Sequence, residues 1–136
     1  MTRMGYAEAA MPRDIVLCVD DEPIVLRACT ISVAQAGFRS AVAENGAAGL
    51  DAFMQLKDEI CLVLSDVVMP PFNGIEMAES ILQIDPQAKI ILLSGYSNEA
   101  LERLGRKRLP FIRKPFIRAV LIETIRSLTR ASGASA

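Results

Sequence analysis

Residues Cys61 to Pro71 read Cys-Leu-Val-Leu-Ser-Asp-Val-Val-Met-Pro-Pro. A continuous apolar run ends in one acid, Asp66, and then in a proline turn. A run this short and this aliphatic fits a strand covered on both faces, as in a parallel sheet. Pro70 and Pro71 cannot extend it, because proline has no N–H to give to a ladder. Asp66 therefore falls near the carboxyl end of the strand. In open α/β sheets, ligands bind in the crevice beyond those ends. Taken alone, Asp66 is as readily a loop acid, since strand ends often carry one.

The flanking sequence repeats the theme. Asp14 to Val19 contains Ile-Val-Leu-Cys-Val, a short strand that ends in Asp20, Asp21 and Glu22 before Pro23. Proline suits the first position of a helix, and an acid before it makes a good cap. Val25, Ala28, Cys29, Val33 and Ala36 then mark one helical face, which Gly37 stops. Phe38 to Ala43 is a second strand. Asn45-Gly46 opens a helix carrying Leu50, Phe53 and Met54, with Gly49 inside it at a cost of about 1 kcal/mol against Ala. After the central strand, Ile60 to Ser65, Asn73-Gly74 starts a third helix with Ile75, Ala78, Ile81 and Leu82 inward. Lys89 to Leu93 is a fourth buried strand, Ser97 to Leu104 a short helix and Leu109 to Arg113 a fifth strand. Phe116 to Arg130 is the last helix, with Val120, Leu121, Ile125 and Leu128 apolar. Strands alternating with helices give an α/β domain: a doubly wound five-stranded parallel sheet with five helices and right-handed crossovers.

Composition narrows the class. The chain has 136 residues, 51% of them hydrophobic, enough for one well-packed domain. We expect that domain over 14–130, a loose leader over 1–13 and a flexible small-residue tail over 131–136. A net charge of −1 predicts no general attraction to nucleic acid or anionic membrane. No stretch is long and apolar enough to span a bilayer, and the first residues lack the apolar core of a signal peptide. Cys18, Cys29 and Cys61 have no metal-type spacing and read as buried free thiols of a cytoplasmic protein. The absence of histidine excludes histidine-based catalysis by this chain.

The strand ends carry the chemistry. The first gives Asp20 and Asp21, the third Asp66, the fourth Ser94 and Gly95, and the fifth Lys114 followed by Pro115. Glu44, after the second, reads as a solvated acid. Three carboxylates on one rim repel unless a cation sits among them. A hard divalent ion such as Mg²⁺ binds one or two carboxylates together with waters and phosphate oxygens. A lysine and a hydroxyl across from it are what a transferred phosphoryl group needs.

These residues make the chain resemble a receiver domain of the two-component response regulators, over Asp14 to Arg130. The resemblance rests on Val-Asp-Asp-Glu-Pro (19–23), Ser-Asp-Val-Val-Met-Pro (65–70), Asn-Gly (73–74), Leu-Ser-Gly-Tyr (93–96) and Lys-Pro-Phe (114–116). It implies a flavodoxin-like sheet of order 2-1-3-4-5. It implies that Asp66 is the phosphoacceptor, taking a phosphoryl group from a phosphohistidine on a sensor histidine kinase or histidine phosphotransfer protein. Asp21 and Asp66 would be direct Mg²⁺ ligands, Asp20 would act largely through water, and the backbone carbonyl of Val68 would complete the set. Ser94 would be the switch hydroxyl, Gly95 would keep that side open, and Lys114 would pair with the phosphoryl oxygens through a strand end usually followed by a cis bond to Pro115. Such a domain catalyses its own phosphorylation and slow dephosphorylation, and acts by switching a protein-binding surface or by passing the group along a phosphorelay.

Some positions depart from the family pattern. Phe111 holds the place of a switch aromatic but lacks a tyrosine hydroxyl, and an apolar residue there is also simply core. Val68 and Tyr96, which flank the phosphoryl site, carry no acid or amide to orient water. Pro71-Phe72 replaces a more usual glycine-containing loop. Arg106, Lys107 and Arg108 read as a solvated turn rather than a nucleic-acid patch, because no aromatics are interleaved. Two other functions compete. A pseudo-receiver would keep the fold as a binding module without phosphorylation, although it has no need of the full site. A Mg²⁺-dependent phosphohydrolase would want a second Asp two residues beyond Asp20, where Glu22 stands. An apolar face on the last helix would suit a homodimer, and the same pattern suits core.

Overall fold

The computed structural model describes residues 13–71, 73–105 and 109–134. Residues 1–12 of the expected leader, Phe72, the basic run 106–108 and the last two residues of the expected tail lie outside the described residues. Five parallel strands, β1 (Ile15–Val19), β2 (Arg39–Ala43), β3 (Ile60–Asp66), β4 (Ile90–Ser94) and β5 (Phe111–Arg113), form one sheet in the order β2-β1-β3-β4-β5. Helices α1 (Pro23–Gln35), α2 (Gly46–Leu56), α3 (Gly74–Ile84), α4 (Asn98–Arg103) and α5 (Arg118–Ala134) connect and cover it. The predicted architecture and strand order are those observed.

Alternate side chains of the central strands divide the core. Ile15, Leu17, Val19 and Val63 pack with Phe53 of α2 and Met77, Ala78 and Ile81 of α3. Val16, Cys18, Leu62, Leu64, Ile91 and Leu93 pack on the other face with Cys29, Val33, Leu121 and Ile125. This period of two, with both faces buried, is why β1, β3 and β4 read as unbroken apolar runs. A smaller cluster of Val67, Ile75, Leu92 and Leu101 lies under α4, with Phe111 packed against it. No helix among the described residues is long and apolar enough to cross a membrane.

Glycine and capping residues set the helices at their angles. Gly49 faces Met77 and Val19; a Cβ there would stand 2.7 Å from the Met77 sulfur and 3.0 Å from a Val19 methyl. The residue that weakens α2 in isolation is what lets it lie against β1 and α3. The Asn45 side chain accepts from Ala48 N–H at 2.8 Å. Asn73 and Glu76 form a reciprocal capping box at the start of α3. At the opposite end of the sheet from the strand tips, Arg39 donates to both oxygens of Asp14 (3.0 and 2.7 Å) and to Glu59 (3.1 Å), joining the starts of β1, β2 and β3.

Some local expectations change. Glu22 is the N-cap of α1 but its carboxylate makes no capping bond. The last helix runs Arg118–Ala134 rather than Phe116 to Arg130, so it enters the expected tail. Its first turn closes on the carbonyl of Ile117, which accepts from Val120 and Leu121, leaving Phe116 free to turn into the core. At the other end, Ala131 continues the helix, as its high propensity favours. Of the residues noted as apolar, Val120 is half exposed and Met54 of α2 is also exposed. β5 is shorter than expected, beginning at Phe111.

Candidate functional site

The parallel sheet delivers its strand ends to one rim. Asp20 follows β1, and its N–H continues the ladder to the carbonyl of Ala43 at 3.1 Å. Asp66 ends β3 and pairs in register with Leu93, so Ser94 lies one residue further along β4. Ser94 in turn pairs with Arg113, and Lys114 follows. The ends of β1, β3 and β5, with β4 between the last two, thus bring Asp20, Asp66 and Lys114 together, although they are far apart in the chain.

Lys114 binds this rim together. Its Nζ lies 3.0 Å from Asp20 Oδ2 and 3.1 Å from Asp66 Oδ1, with Glu22 Oε1 at 3.8 Å. Asp20 is 1% exposed and Asp66 6%, while Asp21 is open to solvent. The backbone N–H of Val67 donates to Asp66 Oδ1 at 2.9 Å, and that of Glu22 donates to Asp20 Oδ1 at 2.9 Å. Burial, followed by the charge of Asp20, pushes the Asp66 carboxyl above the ordinary aspartate range, against the opposing pull of Lys114 and Val67. Burial also disfavours the Lys114 ammonium, but its bonds to Asp20 and Asp66 outweigh this and raise its pKa.

Carboxylate oxygens of Asp20, Asp21 and Asp66 lie within 4.8 Å of one another. Three hard oxygen donors, two nearly buried and one facing solvent, suit Mg²⁺, which keeps several waters and tolerates few protein ligands. These three would hold such an ion, which would offset negative charge on a phosphoryl group.

Ser94, Gly95, Val68 and Tyr96 also lie at this rim, and Phe111 does not. Ser94 is 1% exposed; its hydroxyl accepts from Tyr96 N–H at 2.8 Å and its carbonyl from Lys114 N–H at 2.8 Å. A Cβ on Gly95 would meet nothing within 4 Å, so that side is open. Val68 and Tyr96 are 44% and 41% exposed beside the rim. The Lys114–Pro115 bond is cis, and so is Pro70–Pro71, which the sequence reading did not anticipate. Phe111 is half-buried and pairs with Leu92, placing it in the cluster beneath α4 rather than at the carboxylates.

The loop after Asp66 has supports that sequence reasoning missed. The Ser65 hydroxyl, wholly buried, donates to the Asp66 carbonyl at 2.9 Å, and Gly74 N–H donates to the Val67 carbonyl at 2.9 Å. A Cβ on Gly74 would overlap the Asp66 carbonyl oxygen. The signal for Ser65 was a lone hydroxyl in an aliphatic strand. Glu22 was missed as a member of the rim because an acid before Pro23 reads as a cap.

The sheet order β2-β1-β3-β4-β5, with three acids and a lysine at its carboxyl rim, is that of a doubly wound flavodoxin-like domain with a site at its strand ends. Comparison with known proteins narrows it. Residues 16–126 match the model of the response regulator receiver domain. The chain is 32% identical over 118 residues to the chemotaxis protein CheY of Thermotoga maritima, covering 85% of this chain and 97% of that protein. A response regulator receiver domain protein from Clostridium thermocellum superposes with a TM-score of 0.81 at 23% identity, over 90% of this chain and 99% of that one. The response regulator TrrA of T. maritima, solved in complex with Mg²⁺ and a beryllium fluoride, superposes at 0.75 with 30% identity, over 85% of this chain and 98% of that one. The chain belongs to the response regulator receiver domain family.

Proposed function

We propose that this receiver is a phosphoaccepting switch in which Asp66 takes a phosphoryl group from a phosphohistidine of a sensor kinase or phosphotransfer protein. The observation that carries the reading is the Lys114 ammonium held between the nearly buried carboxylates of Asp20 and Asp66. A carboxylate oxygen of Asp66 attacks phosphorus, the phosphorus–nitrogen bond breaks, and the imidazole leaves with its electron pair. The product is an aspartyl phosphate. Lys114 offsets charge on the phosphoryl oxygens and the strand ends hold the geometry of in-line attack. Asp20, Asp21, Asp66 and the Val68 carbonyl would hold Mg²⁺, which would supply further charge neutralisation; the likeness to TrrA, solved with Mg²⁺ and a beryllium fluoride, supports this. Ser94 is the switch hydroxyl. Its effect passes to α4, β5 and α5, where Leu104, Ile117 and Val120 are exposed apolar side chains fit for a protein partner. We assign the protein to the cytoplasm, where kinases of this class act.

The test is intact mass after incubation with a small-molecule phosphodonor, with and without Mg²⁺, beside Asp66→Asn. A Mg²⁺-dependent gain of one phosphoryl group, absent in the variant, supports the reading. No gain where a known receiver is labelled overturns it in favour of a pseudo-receiver that binds constitutively.

A further inference from the structure

Glu22 is the acid at the rim that the metal-binding set leaves out. It stands at the N-cap of α1, yet its carboxylate does not cap the helix. Oε1 lies 3.8 Å from Lys114 Nζ, while the side chain stays 66% exposed and so keeps its rotamer freedom. Its own N–H holds Asp20 Oδ1, which fixes the residue's backbone against the site.

Lys114 contacts the same two buried carboxylates, Asp20 and Asp66, that a divalent cation would share with Asp21. An ammonium and a dication repel when they crowd the same oxygens. A cation bound there would therefore loosen Lys114 from at least one of its acids. The ammonium is largely buried, so it needs another carboxylate within reach, and Glu22 is adjacent.

We propose that Glu22 is a positioning residue of this site: it takes up the Lys114 ammonium as a divalent cation engages Asp20, Asp21 and Asp66, and so sets the affinity for that cation. This deepens the reading of the rim as a Mg²⁺-dependent phosphoacceptor and rests on it. A solvated acid acting only through its charge would also favour a cation, so the test must separate contact from field.

Calorimetric titration of Mg²⁺ into the full chain does so, with Glu22→Gln, Lys114→Gln and the double variant, each checked for cooperative unfolding. Glu22→Gln weakens Mg²⁺ binding by about three- to tenfold, the size of a modest coupling between neighbouring groups. In the Lys114→Gln background the same change costs less than about twofold, as expected of a screened surface charge. Equal losses in both backgrounds, or a loss within about twofold in the wild type, overturn the proposal. Glu22→Asp provides a second reading that does not require a Lys114 variant to fold. It keeps the charge but shortens the reach, so it weakens binding nearly as much as Glu22→Gln if contact matters; unchanged binding overturns the proposal. Labelling of Asp66 with no Glu22 effect removes this inference alone. A wild type that binds no Mg²⁺ removes both it and the Mg²⁺ part of the proposed function.

Discussion

Asp66 Oδ1 is held from two sides, by the Lys114 ammonium at 3.1 Å and by the Val67 N–H at 2.9 Å, yet its carboxyl is still harder to ionise than a free aspartate. Burial and Asp20 win because Lys114 divides its charge among several acids. Ionised Asp66 is thus a load on the folded state. In the pH interval between the ordinary aspartate value and its raised one, the native chain binds more protons than the unfolded chain, so stability falls as pH rises through it. Asp66→Asn removes that load. We expect the variant to be more stable than the wild type at about pH 7 by ~1 kcal/mol, the usual scale for relieving a strained functional site. Thermal unfolding across pH checks it: the gap closes as pH falls through the raised value into the ordinary aspartate range, where the wild-type carboxyl takes up its proton. A variant less stable at neutral pH contradicts the account.

Lys114 has the opposite role. Lys114→Ala leaves Asp20 and Asp66 buried beside each other without their common counter-ion. The expected loss is about 2 kcal/mol at neutral pH, and millimolar Mg²⁺ recovers much of it by binding the freed acids. Urea unfolding with and without Mg²⁺ measures both quantities. Wild-type stability in the variant would show that the ammonium is dispensable to the rim.

Val68 and Tyr96 border the site, exposed, with neither an acid nor an amide. Nothing at these positions orients a water for attack on an aspartyl phosphate, so the phosphorylated form should decay slowly. Val68→Asn is expected to speed the decay by roughly two- to tenfold, a small part of what a positioned polar group can contribute. The time course of the phosphorylated mass reports the rate, and an unchanged half-life counts against the argument.

Gly49→Ala sets two effects against each other. Helix propensity favours alanine by about 1 kcal/mol. The added Cβ, however, would press on Met77 and Val19, and overpacking in a buried seam typically costs ~1–3 kcal/mol. The melting temperature is expected to fall, not rise. A rise would mean that α2 can slide away from β1 without loss.

The architecture was legible because its signals are local and repeated. Leu62, Leu64, Ile91 and Leu93 lie in runs whose length and unbroken apolarity suit only strands covered on both faces, and Asn45, Asn73 and Ser97 cap the helices they precede. The gathering of Asp20, Asp66, Ser94 and Lys114 at one rim was legible because each stands at, or one residue past, the end of a strand. What escaped depends on choices made in three dimensions. Whether the Glu22 carboxylate caps α1 or leans to Lys114 is decided by a lysine brought in by β5. Gly49 counts as a weakness along the chain and as a fit only once Met77 is placed beside it. The entry of α5 at Arg118 rather than Phe116 turns on where Phe116 finds apolar company.

The clasp of Arg39 on Asp14 and Glu59 gives the sheet two poles that answer acid with opposite sign. At the clasp, the bond from Arg39 holds the Asp14 carboxyl below its ordinary range. Its contribution is present above the ordinary aspartate value and fades as pH falls through the lowered one. At the rim, the same fall in pH relieves crowding among acids. Mild acid therefore quiets the chemical pole while the clasp still holds.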